Sequence, residues 1–132
     1  MPTAMEIVND GRGLRLIGSG ILTGAEMIAA TNDLEANPDL FRRLVFGLVD
    51  LREVTELRLT GEDVKALAHM DRRLALVNPS LCVAVVAPKG VVFGMARMWE
   101  VLAEPTGWPT AVFRDMADAE IWIEARKNSF GG

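Results

Sequence analysis

The sequence predicts an α/β domain built on a mixed, mostly parallel five-stranded sheet, with an antiparallel first edge strand and four helices. Three observations predict it. Short β-rich apolar runs alternate with helical periods of ten or more residues, a pattern that calls for βαβ crossovers and parallel pairing. The first two runs are separated only by the polar "DGRG", whose glycines suit a tight hairpin and therefore antiparallel pairing. The chain has 132 residues, is 50% hydrophobic and has a mean hydropathy of +0.21, enough apolar mass for one proper core.

Taken in order, "MEIVN" reads as a short strand and "LRLIGSGIL" as its hairpin partner. Gly18 and Gly20 fall inside that second strand, where glycine permits close backbone approach or a bulge. Thr23 and Glu26 have capping-box spacing, and Met27, Ala30, Thr31 and Leu34 then recur at helical intervals until "NPD" stops the helix. "RLVFGLVDL" is a nearly continuous apolar run, the mark of a strand covered on both faces. Thr60 and Asp63 repeat the cap signal ahead of "GEDVKALAHMDRRLALVN", a helix that ends before Pro79. "LCVAVVA" is a buried strand, Pro88 to Gly90 form a turn, and residues 91–103 make the next helix. "PTAVFRD" supplies the last strand and "MADAEIWIEARK" the closing amphipathic helix, with Ala119, Trp122 and Ile123 inward. The domain is expected over 1–127, and "KNSFGG" leads into a loose tail over 128–132.

The totals exclude several classes. Fourteen Lys and Arg against eighteen Asp and Glu give a net charge of -4, which offers no general attraction to nucleic acid or to anionic membranes. Cys82 is the sole cysteine, so no internal disulfide or cysteine-cluster metal site can form, and a reducing cytoplasm is the expected location. The first ten residues lack the basic-then-apolar order of a signal peptide, and no run approaches the ~18 apolar residues of a membrane span.

Four segments carry a family resemblance: "GSGILTGAEM", "LVDLREV" with the helix after it, "FGMARMWEVL", and "AVFRDMADAEIWI". Together they cover nearly the whole chain, and it resembles the STAS-like domains, especially the SpoIIAA-like family related in fold to bacterial anti-anti-sigma factors. The resemblance implies a compact α/β domain that binds partners instead of catalysing a reaction. Phosphorylated STAS members open the helix after the middle strand with Asp-Ser-Ser/Thr-Gly. The matching residues here are Arg58, Leu59, Thr60 and Gly61, so leucine stands where the phosphate would be received; neighbouring Thr60 is the remaining phospho-acceptor candidate, but its position is already explained as a helix cap. The SpoIIAA-like subgroup is also similar to CRAL-TRIO lipid-binding domains, which implies a small apolar ligand or a lipid as an alternative to a protein partner.

The residues themselves show no catalytic kit. His69 is the sole histidine and projects away from the Val64, Leu67, Ala68, Ala75 stripe, so neither a metal set nor a nucleophile and base can be assembled around it. Asp71 projects into that stripe, where a carboxyl needs a buried hydrogen bond, an outward bend of the helix, or a function. "GSGILTG" with Asp50 echoes a dinucleotide fingerprint at the wrong spacing, and no cofactor is expected. In open α/β sheets ligands gather beyond the carboxyl ends of the strands. That is where Asp50, Arg52, Pro88, Lys89, Arg114 and Asp115 are expected, with the helix N-termini at Gly61 and Gly90 able to hold a small anion beside Arg52 or Lys89.

The helix over 91–103 is the other candidate. Helical projection places Val91, Val92, Met95, Ala96, Met98, Trp99, Leu102 and Ala103 on a core-facing arc and Arg97, Glu100 and Glu104 on the other side. Phe93 and Val101 project toward the charged side, so with Arg97 and Glu100 they form an expected contact surface: a protein partner, a second copy in a homodimer, or the wall of a ligand groove. A non-enzymatic binding domain follows, with a carrier or sensor of a small apolar or amphipathic molecule as the alternative.

Overall fold

The computed structural model describes residues 3–88 and 90–131, with side chains to Lys127. The chain opens with β1 (Thr3–Val8), turns through Asn9, Asp10 and Gly11, all at positive φ, and returns as β2 (Gly13–Thr23). Arg12 N–H closes the turn on Asn9 C=O at 3.1 Å. Short polar residues and glycine tolerate this left-handed backbone, which matches the twist of the two strands. β1 and β2 pair antiparallel, as the hairpin signal predicted.

Thr23 and Glu26 then cap α1 (Gly24–Glu35) reciprocally. The "NPD" stop ends α1, but Pro38 at the first helical turn also starts a short α2 (Pro38–Arg42), a helix the periodicity was too short to reveal. β3 (Phe46–Arg58) is the longest strand. It runs well past Leu51 because residues 53–58 stay paired with β2 through two register shifts, with β-branched Val54 and Thr55 in the middle. α3 (Gly61–Val77), β4 (Cys82–Val86), α4 (Gly90–Leu102), a 3-10 turn at Glu104–Thr106, β5 (Thr110–Phe113) and α5 (Met116–Gly131) complete the chain. The expected four helices are therefore five. The tail expected over 128–132 lies outside the described side chains.

The five strands lie in sequence order, β1-β2-β3-β4-β5, and every pair after the first is parallel. Right-handed crossovers taken repeatedly in one direction put their helices on one face. Accordingly Leu14, Leu22, Leu51, Val83 and Val85 face the layer of α1, α3 and α4. Phe46, Leu48, Cys82, Ala84 and Val86 face the other way and are covered by α5 through Ala119 and Ile123. Burying Ile123 alone is worth about 1.5–3 kcal/mol. The expected glycine bulge is present: the β2–β3 register shifts between Ile17 and Ser19 and again at Gly20, whose φ is +60°.

Below α3 a buried amide ties three segments together. Asn78 Nδ2 donates to Phe41 C=O and Leu44 C=O, both at 2.8 Å, while its Oδ1 accepts from Ser80 N–H. Trp108 packs against Phe41 and donates its indole N–H to Asn78 C=O at 2.8 Å. This corner seals one end of the space between the sheet and the helical layer.

Candidate functional site

That space is not filled. A cavity of about 140 Å³ lies between the inner face of the sheet and α1, α3 and α4. Leu14, Leu16, Val49, Val83 and Val85 form its floor, and Met27, Leu67, Val92 and Met95 are among the helical residues above. Its wall is overwhelmingly apolar, and a cavity of roughly this size lined by aliphatic groups holds a benzene-sized solute.

One ionisable side chain, Asp71, faces this apolar interior. It sits on α3 in the same stripe as Val64, Leu67, Ala68 and Ala75, which are buried. Of the three readings open to it, the first holds: Trp99, reaching across from α4, donates its indole N–H to Asp71 Oδ2 at 2.7 Å. Asp71 Oδ1 has no hydrogen-bond donor among the described residues. Asp71 is partly exposed, and it lines the cavity beside hydrocarbon, where a carboxylate is poorly solvated. Burial raises its pKa to about 7; the Trp99 hydrogen bond pulls the other way, and the charge of Glu35 on α1 adds to the rise. Thr31, the remaining hydroxyl in the wall, donates to Met27 C=O at 3.0 Å.

The residues expected at strand ends are distributed differently. Because β3 continues to Arg58, Asp50 and Arg52 stand inside the strand and not at its carboxyl end. They lie on the face shared with Phe46 and Leu48, away from the cavity. Asp50 is buried and accepts from Arg52 N–H, Arg52 Nε, Arg52 Nη2 and Arg15 Nη2 at 3.0–3.3 Å. Burial pushes its pKa up, but these bonds outweigh that and hold the carboxyl below its ordinary value. The Arg52 guanidinium is thus engaged by Asp50. Lys89 lies outside the described residues. Arg114 reaches Pro88 C=O at 3.2 Å.

Helix α4 keeps most of the expected inward arc, with Ala96 and Ala103 buried and Val92, Met95, Met98, Trp99 and Leu102 partly buried, and departs from it at two residues. Phe93 does not share the solvent face with Val101: it packs beside Leu22 and Ala96, and the Arg114 guanidinium covers its ring at 4.0 Å from the centroid. Val91, expected in the core, is 70% exposed, and Val101 is 66% exposed. The outer row of the helix is thus Val91, Gly94, Arg97 and Val101, with Arg97 paired to Glu100 at 3.5 Å. Arg114, beyond the reach of a single-helix projection, covers the side of Phe93 that the projection leaves in solvent.

Thr60 caps α3: its hydroxyl accepts from Asp63 N–H at 3.1 Å, and Asp63 Oδ2 accepts from Thr60 N–H at 2.9 Å. His69 is exposed, and among the described residues no group of three or more His, Cys, Asp or Glu could hold a metal ion. Cys82 is buried under α5, and burial raises its thiol pKa to about 11, so little reactive thiolate exists at neutral pH. Among the described residues no helix is long and apolar enough to cross a membrane.

Sheet order, parallel pairing, the antiparallel edge and the one-sided helical layer define a class, the α/β domains with a SpoIIAA-like fold. The supporting likeness is a crystal structure of an uncharacterized protein of the DUF3478 family from Shewanella loihica PV-4, itself described as having a SpoIIAA-like fold. It matches with a TM-score of 0.53 at 23% identity, covering 92% of this chain and 91% of that one. No family model matches the sequence, and no curated protein does. The likeness is one of fold, and that fold is the one the resemblance of the four sequence segments implied.

Proposed function

We propose that the chain is a non-enzymatic carrier or sensor, and that a small apolar or amphipathic molecule occupies the cavity between the sheet and α1, α3 and α4. The carrying observation is the cavity itself: a packed interior leaves few voids larger than a water molecule, and this one joins a hydrocarbon wall to a single polar end at Asp71 and Trp99. Titration with heptane tests it. Methyl resonances of Met27, Val92 and Met95 should shift, and Ala30→Leu, which adds volume to the wall, should abolish the shifts while the fold persists. Shifts confined to surface methyls, or none, would refute the reading. Native mass spectrometry of protein taken directly from cells should also show an adduct.

A second reading rests on the outer row of α4, where Val91 and Val101 expose apolar surface beside Arg97. Contact with a protein partner or a second copy would cover them. Light scattering tests the second copy: Val101→Asp should lower the measured mass with unchanged circular dichroism, and a monomeric mass for the unaltered chain would remove the homodimer.

A further inference from the structure

Given an occupied cavity, on which this inference rests, the polar end determines what kind of molecule fits. We propose that the cavity selects uncharged amphiphiles whose polar end carries a hydrogen-bond-accepting oxygen, bound by the Asp71 carboxyl group, and that it rejects amphiphiles ending in a carboxylate or phosphate.

The argument starts from what the wall lacks. Among the described residues that line the cavity none is lysine, arginine or histidine, so an anionic head would be buried without a cation. The nearby cations are committed elsewhere. Arg73 forms two bonds to Glu35 at 2.9 and 3.1 Å, and Arg72 donates to Leu102 C=O at 3.2 Å; neither lines the cavity. From α1 the charged group acting on Asp71 is Glu35, which adds negative potential and so further disfavours an anion. From α4 the polar contact is Trp99, and the sheet contributes only apolar side chains and backbone to the wall.

What remains to meet a ligand is Asp71 Oδ1. Its sister oxygen already takes the Trp99 N–H, which fixes the carboxyl plane, and Thr31 spends its proton on Met27 C=O. A protonated carboxyl offers Oδ1–H as a donor to a ketone, ester or ether oxygen. Because burial keeps Asp71 protonated up to about pH 7, that donor exists in mildly acidic and neutral solution and disappears above it. Filling the cavity removes remaining water from the carboxyl and favours the protonated form further, so binding takes up protons as pH rises toward 7. No proton leaves Asp71 during binding; one hydrogen bond forms and no covalent bond changes.

Three ligands of similar length, heptane, 2-heptanone and heptanoate, separate the possibilities when titrated against the Trp99 indole N–H resonance and the cavity methyls. At pH 6.5, where heptanoate is almost wholly ionised, 2-heptanone should bind about tenfold more tightly than heptanoate, the scale set by one hydrogen bond to a buried group. Its affinity should fall about tenfold by pH 8.5. In Asp71→Asn, whose amide N–H can donate without titrating, 2-heptanone should still bind and the fall with pH should vanish. Equal or tighter binding of heptanoate, or an unchanged pH slope in Asp71→Asn, overturns the proposal. Binding of heptane and 2-heptanone alike, with no pH slope, overturns it while leaving the occupied cavity standing; failure of all three overturns both.

Discussion

Replacing Asp71 with asparagine should remove a pH dependence from the stability of the fold. Asparagine is nearly isosteric and still offers an oxygen to the Trp99 indole N–H, so the bond that joins α3 to α4 is kept and only the titration is lost. In the unfolded chain this carboxyl ionises near its ordinary value of 3.8, whereas in the folded protein it holds its proton until about pH 7. Between those values the folded state binds more protons, so its stability falls as pH rises and levels off above 7. The slope is ~1.36 kcal/mol per pH unit, and the full loss across the window is about 4 kcal/mol. Urea denaturation followed by tryptophan fluorescence at pH 5, 6, 7 and 8 measures it. The unaltered protein should lose about 2–3 kcal/mol more than Asp71→Asn between pH 5 and pH 8, leaving the variant the more stable of the two in alkaline solution. Parallel losses in the two proteins would refute the burial argument and show that water reaches the carboxyl freely.

Asn78→Ala should cost about 2–4 kcal/mol in the same assay, because two buried carbonyls lose their donor. Gly20→Val should cost about 1–2 kcal/mol for a purely conformational reason, since a side chain there meets no atom within 4 Å but must accept a φ of +60°; Gly20→Asn should cost less. Thr60→Ala should cost about 1 kcal/mol and Thr60→Ser almost nothing, as expected of a cap. Kinase labelling that placed phosphate on Thr60 would contradict that role.

Much of the fold was legible because its signals are local. The Thr23/Glu26 and Thr60/Asp63 boxes, the hairpin turn and the apolar strands each occupy a few adjacent residues, and alternation of strand with helix is enough to imply parallel order. Errors arose where a decision depended on a distant partner. Residues 52–58 place apolar Val54 and Leu57 three positions apart, which is not a strand period, and their strand assignment comes from pairing with β2 across its register shifts. Phe93 packs beside Leu22 and Ala96 and is covered by Arg114, 21 positions later, contacts that no single-helix projection contains. The cavity itself is a property of packing between layers, which no periodicity encodes. Its polar end nevertheless left one trace: Asp71 projects into an apolar stripe, a local inconsistency that Trp99 resolves from 28 positions away.

In this sheet each strand is hydrogen-bonded to the one that precedes it in the chain. Pairing can therefore follow synthesis, every new strand meeting an edge that already exists, and hydrogen exchange pulsed during refolding should find β2–β3 amides protected before those of β5. The helix bearing Trp99 is made only after four strands and the Asp71 helix are in place. The wall that α4 gives the cavity is thus the last part of it to be added, and the strand floor and the Asp71 helix stand uncovered for longest.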